Sequence, residues 1–465
     1  MSAMRPNFSD IVWPDAAAYW IANARVPLCM LGEARLGLEE GRPGARSDRD
    51  DGVVLVDLLI ESERLARMVP AGTAGTDQHP RIDLRGRQVW PMLVDVHTHL
   101  DRAHTVVRAP NVSGSFADAL RATASDRLRW TRDDLLMRMN FGLRCAYAHG
   151  VSAIRTHLDS VPAQAERSWG AFREVRAEWA GKVALQAVSL VPIDLFRDGG
   201  GDQLAALVAK SGGVLGAVTR AASGTHGALL DDLDALLDRI FSLAARHDLD
   251  LDFHVDETND PRAAALPHVA RAVLRHDYQG RVVAGHCCSL AVQPEEQADR
   301  TLDLVAEAEV AVVTLPTVNL YLQDRVSGRT PRWRGVTLVH EMRRRGIAVA
   351  VAGDNCRDCF HAYGDHDMVD NFRQAVRILH LDHPLTDAPA LVGPAPARIA
   401  NLKEHGRLAV GCPARVIVFN ARSLSEIVSR PQTDRIVIDN GRRSGARPPD
   451  YSELWDNEMI CGPPV

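Results

Sequence analysis

From Pro91 onward the chain repeats one unit, and that repetition limits what it can fold into. Eight short apolar runs recur, each separated from the next by a stretch long enough for a helix. They are MLVDV (92–96), VSAIRT (151–156), VALQAVSLV (183–191), VLGAV (214–218), LDLDF (249–253), RVVAG (281–285), VAVVTL (310–315) and IAVAVAG (347–353). The segments between them carry apolar residues at helical spacing, as in LLDDLDALLDRIFSLAARHD from Leu229 to Asp248. A strand and a helix in alternation bring successive strands together in parallel, and eight such units is the number that closes a (β/α)8 barrel. An α/β protein with a TIM-type barrel over residues 91–400 is therefore expected.

The remainder of the 465 residues has a different texture. VVLVDLLI (53–60) reads as a strand between two polar loops, RPGARSDRDD (42–51) and GTAGTDQHP (72–80). After residue 400, GCPARVIVFNA and DRIVIDNGRR read as a pair of strands. The two ends, 1–90 and 401–465, are expected to build one small β domain together.

Composition enters by exclusion. The 54 basic and 60 acidic side chains give a net charge of −6 with no basic block, so neither nucleic acid nor an anionic membrane is an expected partner. The apolar stretches fall short of the ~18 residues of a membrane span, and MSAMRPNFSDIVWPD has no secretory pattern. The expected setting is the cytoplasm, and the expected state a homo-oligomer. Eight cysteines in such a chain are expected to be reduced. Cys356 and Cys359 form a CxxC without a second ligand pair and read as packing or loop thiols. A core of this size does not need a metal to fold, so a metal site would be there for chemistry.

Polar residues cluster where the apolar runs end. The first run leads into His97-Thr98-His99, the second into His157 and the fifth into His254-Val255-Asp256-Glu257. The sixth leads into His286 and the eighth into Asp354-Asn355. The carboxyl ends of the strands are where an α/β barrel gathers its catalytic groups. His97 and His99, two apart on a strand, point to the same side and can bind one ion. His254 and Asp354 complete a set of three nitrogens and one oxygen, suited to one divalent metal ion, zinc or iron, with a place left for water. Such an ion lowers the pKa of its water from 15.7 to about 7. Glu257, three residues past a ligand, can shuttle protons without binding the metal. His286 can donate to a developing oxyanion, and Asp354 can take the water's proton.

With these residues in place, the sequence resembles the amidohydrolase superfamily, in particular its bacterial cytosine deaminase branch. The matching stretches are VDVHTHLDRAHT (94–105), IRTHLDS (154–160), DFHVDETND (252–260), AGHCCSL (284–290), TLPTVNLYLQDR (314–325), RRGIAVAVAGDN (344–355) and NLKEHGRLAVGCPARVIVF (401–419). The resemblance implies a distorted barrel beside a β-sandwich made from both termini. It also implies hydrolysis of a C–NH2 bond in a small nitrogen heterocycle, with release of ammonia. His97, His99, His254 and Asp354 match the metal ligands. Glu257 matches the acid that protonates the ring nitrogen, and His286 the group that steadies the tetrahedral intermediate. Phe360 falls where the family places an aromatic against the substrate.

Departures bear on the substrate. The glutamine with which cytosine deaminases read a pyrimidine is missing from SLVPIDLF (189–196), and Asn355 stands where a second aspartate is common. An amide both donates and accepts, so the ring edge being read differs. VTRAASGTH (218–226) also departs from the family. VLGAVTR lacks the lysine that bridges two metals in some members, which argues for a single ion. Asp256 is a candidate to orient a ligand histidine, His157 to line the pocket or to pack, and Arg357-Asp358 to touch substrate. Two alternatives remain: opening of a cyclic amide or removal of an N-alkylamine from a triazine-like ring, and a non-catalytic metal-binding protein. A nucleic-acid deaminase would carry HxE with PCxxC, and here the CxxC follows Asn355 with no HxE before it.

Overall fold

The computed structural model describes Phe8 and residues 11–32, 51–73, 78–224 and 227–455. Residues 42–50 and 74–77 of the two polar loops, residues 225 and 226, most of the opening segment and Cys461 lie outside them. The chain divides into two compact units. One is Met1–Val94, Tyr147–Ser152 and Asp367–Arg447. The other is Asp95–Ala146, Ala153–His366 and Pro448–Val465.

The first unit is built from mostly antiparallel strands supplied by both ends of the chain, with the segment Arg81–Asp83 parallel to its neighbour Ala18–Pro27. Strands β1 (Ala18–Pro27), β2 (Val53–Glu61), β3 (Arg64–Pro70) and β4 (Arg81–Asp83) lie in the order β3-β2-β1-β4. Strand β5 (Val89–Pro91) opens a second sheet, completed by Val416–Val418, Ile436–Asp439 and Arg442–Arg443. The two sheets share one core, in which Tyr19, Ile21, Val56, Leu58 and Val89 meet Val416, Ile436 and Ile438. Burying side chains of this size contributes about 1.5–3 kcal/mol each. The Tyr19 hydroxyl donates to the Gly441 carbonyl at 2.6 Å and accepts from Trp13 Nε1 at 2.9 Å. Gly441 takes a φ of 75°, the left-handed turn that glycine adopts without penalty.

The eight apolar runs all become strands: β6 (Leu93–Thr98), β7 (Val151–Asp159), β8 (Ala184–Leu190), β9 (Leu215–Val218), β10 (Leu251–Val255), β11 (Val282–His286), β12 (Ala311–Thr314) and β13 (Val349–Val351). Two ladders, β6-β7-β8 and β9-β10-β11-β12-β13, are joined at both ends. Bridges Val188–Val214 and Pro192–Val218 link β8 to β9, and Thr98–Asp354 links the segment after β13 back to β6. The circle of strands is therefore closed. Its strands are buried along almost their whole length, which is why they read as unbroken apolar runs instead of alternating ones. The helix expected from Leu229 begins at Leu233, because Leu230–Leu233 closes as a turn with the Leu233 N–H on the Leu230 carbonyl at 3.1 Å. Among the described residues, no helix is long and apolar enough to cross a membrane.

Gly216 on β9 shows how tightly the barrel is filled. A Cβ there would lie 2.4 Å from the Asp252 carbonyl oxygen and 2.6 Å from that of Ser189, both backbone atoms of the barrel wall. Replacing Gly216 with Ala is expected to cost about 1–3 kcal/mol through overpacking. A lowered thermal midpoint, followed by circular dichroism, checks this; an unchanged midpoint would contradict it.

Candidate metal centre and active site

Closure of the barrel sets up the centre. The Asp95 carboxylate accepts the N–H of Gly353 at 3.0 Å and that of His97 at 3.3 Å. The Asp354 N–H donates to the His97 carbonyl at 2.6 Å, and Thr98 Oγ1 donates to the Asp354 carbonyl at 2.8 Å. These bonds hold the end of β6 against the segment after β13. His99 Nε2 lies 3.1 Å from Asp354 Oδ1, and His97 Nε2 lies 3.7 Å from the same oxygen. His254, at the end of β10, brings its Nε2 to 3.1 Å from His97 Nε2.

All four side chains are buried, and their donor atoms have no arrangement of protons that satisfies them. At most one N–H can lie between the two imidazole nitrogens of His97 and His254, and no hydrogen bond satisfies either Asp354 oxygen. Burial pushes the three histidines well below their ordinary pKa, so the rings are neutral and their lone pairs available. Three imidazoles and a carboxylate converging in this way fit a divalent cation of the zinc or iron type. Gly285 belongs to this geometry. A Cβ there would meet His97 Cε1 at 2.9 Å, so the strand must carry glycine for the imidazole to lie against it.

Glu257 and His286 stand beside these four side chains, joined by a residue to which sequence reasoning gave no role. Asn319, on the short helix Pro316–Leu322, donates through Nδ2 to His286 Nδ1 at 3.1 Å and to Glu257 Oε1 at 3.4 Å. With Nδ1 accepting, the neutral His286 ring carries its proton on Nε2, which has no other partner. Burial pulls His286 down to about 4. Burial, and then the nearby Asp354 carboxylate, push Glu257 well above the ordinary carboxylate range, so its carboxyl can hold a proton at neutral pH.

A cavity of about 240 Å³ opens over this group. Among its lining residues are His99, His254, Glu257, His286, Asp354, Asn355 and Phe360. Arg102 and Arg220 also line it, and neither was singled out in the sequence. Arg102 donates to Asp159 Oδ1 at 2.5 Å and places its guanidinium 5.2 Å from the Phe360 ring centre. Arg220 Nη1 is held by the carbonyls of Ala221 and Gly224. The Asn355 amide nitrogen donates to Asp358 Oδ2 at 2.6 Å.

His157 and Arg357 lie outside the lining. His157 packs its ring 3.9 Å from that of His97 and points Nε2 at Asp252 Oδ1, 3.3 Å away, behind the ligands. The Arg357 guanidinium sits over the Tyr451 ring at 4.4 Å. The Asp256 oxygens are taken by the N–H groups of Ala265 and Leu266, so this carboxylate holds the start of the helix Leu266–Arg275.

Two variants test the centre. Exchanging His97 for Asn should reduce the metal content of purified protein in elemental analysis; an unchanged content would break the ligand assignment. Gly285→Ala should crowd the His97 ring and weaken metal binding about 10–100-fold, the scale of lost ligand support. A chelator-competition titration reads this, and wild-type affinity would contradict the packing argument.

The sequence pattern of the amidohydrolase family matches residues 131–443 of the chain. The chain is 46% identical to a pterin deaminase from Rhizobium rhizogenes over 96% of its length and 98% of that protein's. It is 24% identical to an N-isopropylammelide isopropyl amidohydrolase from a Pseudomonas species, over 83% of its length and 92% of that protein's. Among solved structures, 5-methylcytosine deaminase from Klebsiella pneumoniae superposes with a TM-score of 0.76 at 23% identity, covering 93% of this chain and 98% of that one. That last likeness speaks for the fold. The match over most of the barrel and the 46% identity along nearly the whole chain make this protein a member of the amidohydrolase family.

Proposed function

We propose that the chain is a metal-dependent hydrolytic deaminase whose substrate is a pterin, a 2-aminopteridin-4-one. The observation that carries this reading is the pairing of Glu257 with His286 through Asn319, beside the convergent donors of His97, His99, His254 and Asp354. The pterin deaminase relative supports the choice of ring. In the reaction, water adds its oxygen to the ring carbon that bears the amino group. The C–N bond breaks, and a pteridine-2,4-dione and ammonia leave.

His97, His99, His254 and Asp354 hold one divalent ion, zinc or iron. When bound, that ion supplies the Lewis acidity that makes water nucleophilic at neutral pH. Asp354 accepts the proton of the attacking water. Glu257, protonated through its burial, delivers its proton to the ring nitrogen; Asp354 passes the proton it took from water to the departing amine, and Glu257 recovers a proton from the added hydroxyl as the carbonyl forms. His286 presents its Nε2–H to the oxygen as negative charge develops there. Phe360 covers the flat ring, and Asn355 offers its amide oxygen to the ring edge.

The pocket walls agree with a two-ring substrate. The stretch that lacks a substrate-reading glutamine places Val191 and Pro192 in the lining, which leaves room where a longer side chain would hold a smaller ring. A volume of about 240 Å³ falls below the ~300–1,000 Å³ of drug-sized sites and suits a compact bicycle.

Steady-state assays with pterin, cytosine and an N-isopropyl-substituted triazine test this directly. Pterin loss should be matched by ammonia release and should be the fastest of the three. Isopropylamine from the triazine without ammonia from pterin, or a ring-opened product, would overturn the reading. In the same assay Glu257→Gln should keep its metal and lose turnover by about 10²–10⁴-fold. Retention of more than a small fraction of the activity would remove Glu257 as the proton shuttle.

A further inference from the structure

We propose that His104, Cys356 and His366 form a second metal-binding site, distinct from the one at the end of β6, which takes a thiophilic transition-metal ion such as zinc. Ligand atoms of the three residues lie within 4.8 Å of one another, and all three side chains are buried. None of them belongs to the His97, His99, His254 and Asp354 set.

The observation that points to a ligand is the state of His104. Its ring is 3% exposed, and neither ring nitrogen has a hydrogen-bond partner. A neutral imidazole carries one donor and one acceptor, and leaving such groups unpaired in the interior forfeits the hydrogen bonds they would make to water. An ion on one nitrogen removes half of that deficit. The backbone keeps the group together. The His104 N–H donates to the Cys356 carbonyl at 3.1 Å, and the Val106 N–H donates to the Arg357 carbonyl at 2.9 Å. Glycine makes room: a Cβ on Gly142 would meet His366 Nε2 at 2.9 Å.

The CxxC motif takes a different meaning here. Its two thiols do not act as a pair. Cys359 Sγ turns to Thr123 Oγ1 at 2.9 Å and to the Ala119 carbonyl at 3.2 Å, while Cys356 faces the two histidines. Two imidazoles and one thiolate make a borderline-soft donor set, which selects zinc or its cobalt substitute over magnesium or calcium. On binding, the Cys356 S–H bond breaks, its proton goes to solvent and the sulfur lone pair goes to the metal. The ion would tie the loop after β6 to the loop after β13, which carry His99 and Asp354 close by in sequence.

The test uses the full chain, stripped with a chelator and reloaded with cobalt(II) alone. The first centre has no sulfur ligand, so only the second gives a thiolate-to-cobalt charge-transfer band in the near ultraviolet. Wild-type protein should show this band and bind a further equivalent of cobalt beyond the first centre. Cys356→Ser and His104→Ala should each lose both, whereas Cys359→Ser and His97→Asn should keep the band. No band in the wild-type protein, or a band that survives Cys356→Ser, would overturn the proposal. The wild-type spectrum decides the matter even where a variant fails to fold.

Discussion

The site depends on one seam. A ring of parallel strands closes only if the last strand finds the first, and here that join is made by two hydrogen bonds to a buried carboxylate and two more to the backbone of Asp354. Asp95 holds the N–H groups of His97 and Gly353, while the Asp354 N–H and carbonyl are held by the His97 carbonyl and Thr98 Oγ1. Burial, opposed by those two N–H bonds, pushes the Asp95 carboxyl up to about 7. The same join places the His99 imidazole 3.1 Å from the Asp354 carboxylate, across a sequence distance of more than two hundred residues. Closure of the ring of strands and the approach of His99 to Asp354 thus rest on the same bonds.

Much of this was legible in the sequence, for a physical reason. Parallel strands covered on both faces must be apolar throughout, so each of the eight strands announced itself as a run, and five of the runs led into the polar residues singled out in the sequence. The convergence of His97, His99, His254 and Asp354 could be anticipated because a strand end has a known address in a barrel. The strand pair near the C-terminal end, now Val416–Val418 and Ile436–Asp439, was legible from its turn residues.

What the sequence hid were relations between side chains on different loops. Asn319 sits inside a short helix and reads as an ordinary polar residue, yet its amide couples Glu257 to His286. Arg102 follows the histidine motif directly, and only the fold shows it paired with Asp159 at the pocket wall. His157 shares a strand-end position with His97, His99 and His254, but its ring turns behind them to Asp252. Arg357 lies next to pocket residues in sequence and is drawn away by the Tyr451 ring. Strand-end position limits which residues can converge, and the direction of each side chain decides which of them do.

As a hydrolytic deaminase, this amidohydrolase replaces an exocyclic amine by an oxygen taken from water. Turnover of a pterin in heavy-oxygen water, with the product analysed by mass spectrometry, tests that assignment most directly. One heavy oxygen should appear in the product, on the carbon that lost its amino group, for each ammonia released. Product without the label, or label in a ring-opened acid with no ammonia, would contradict it.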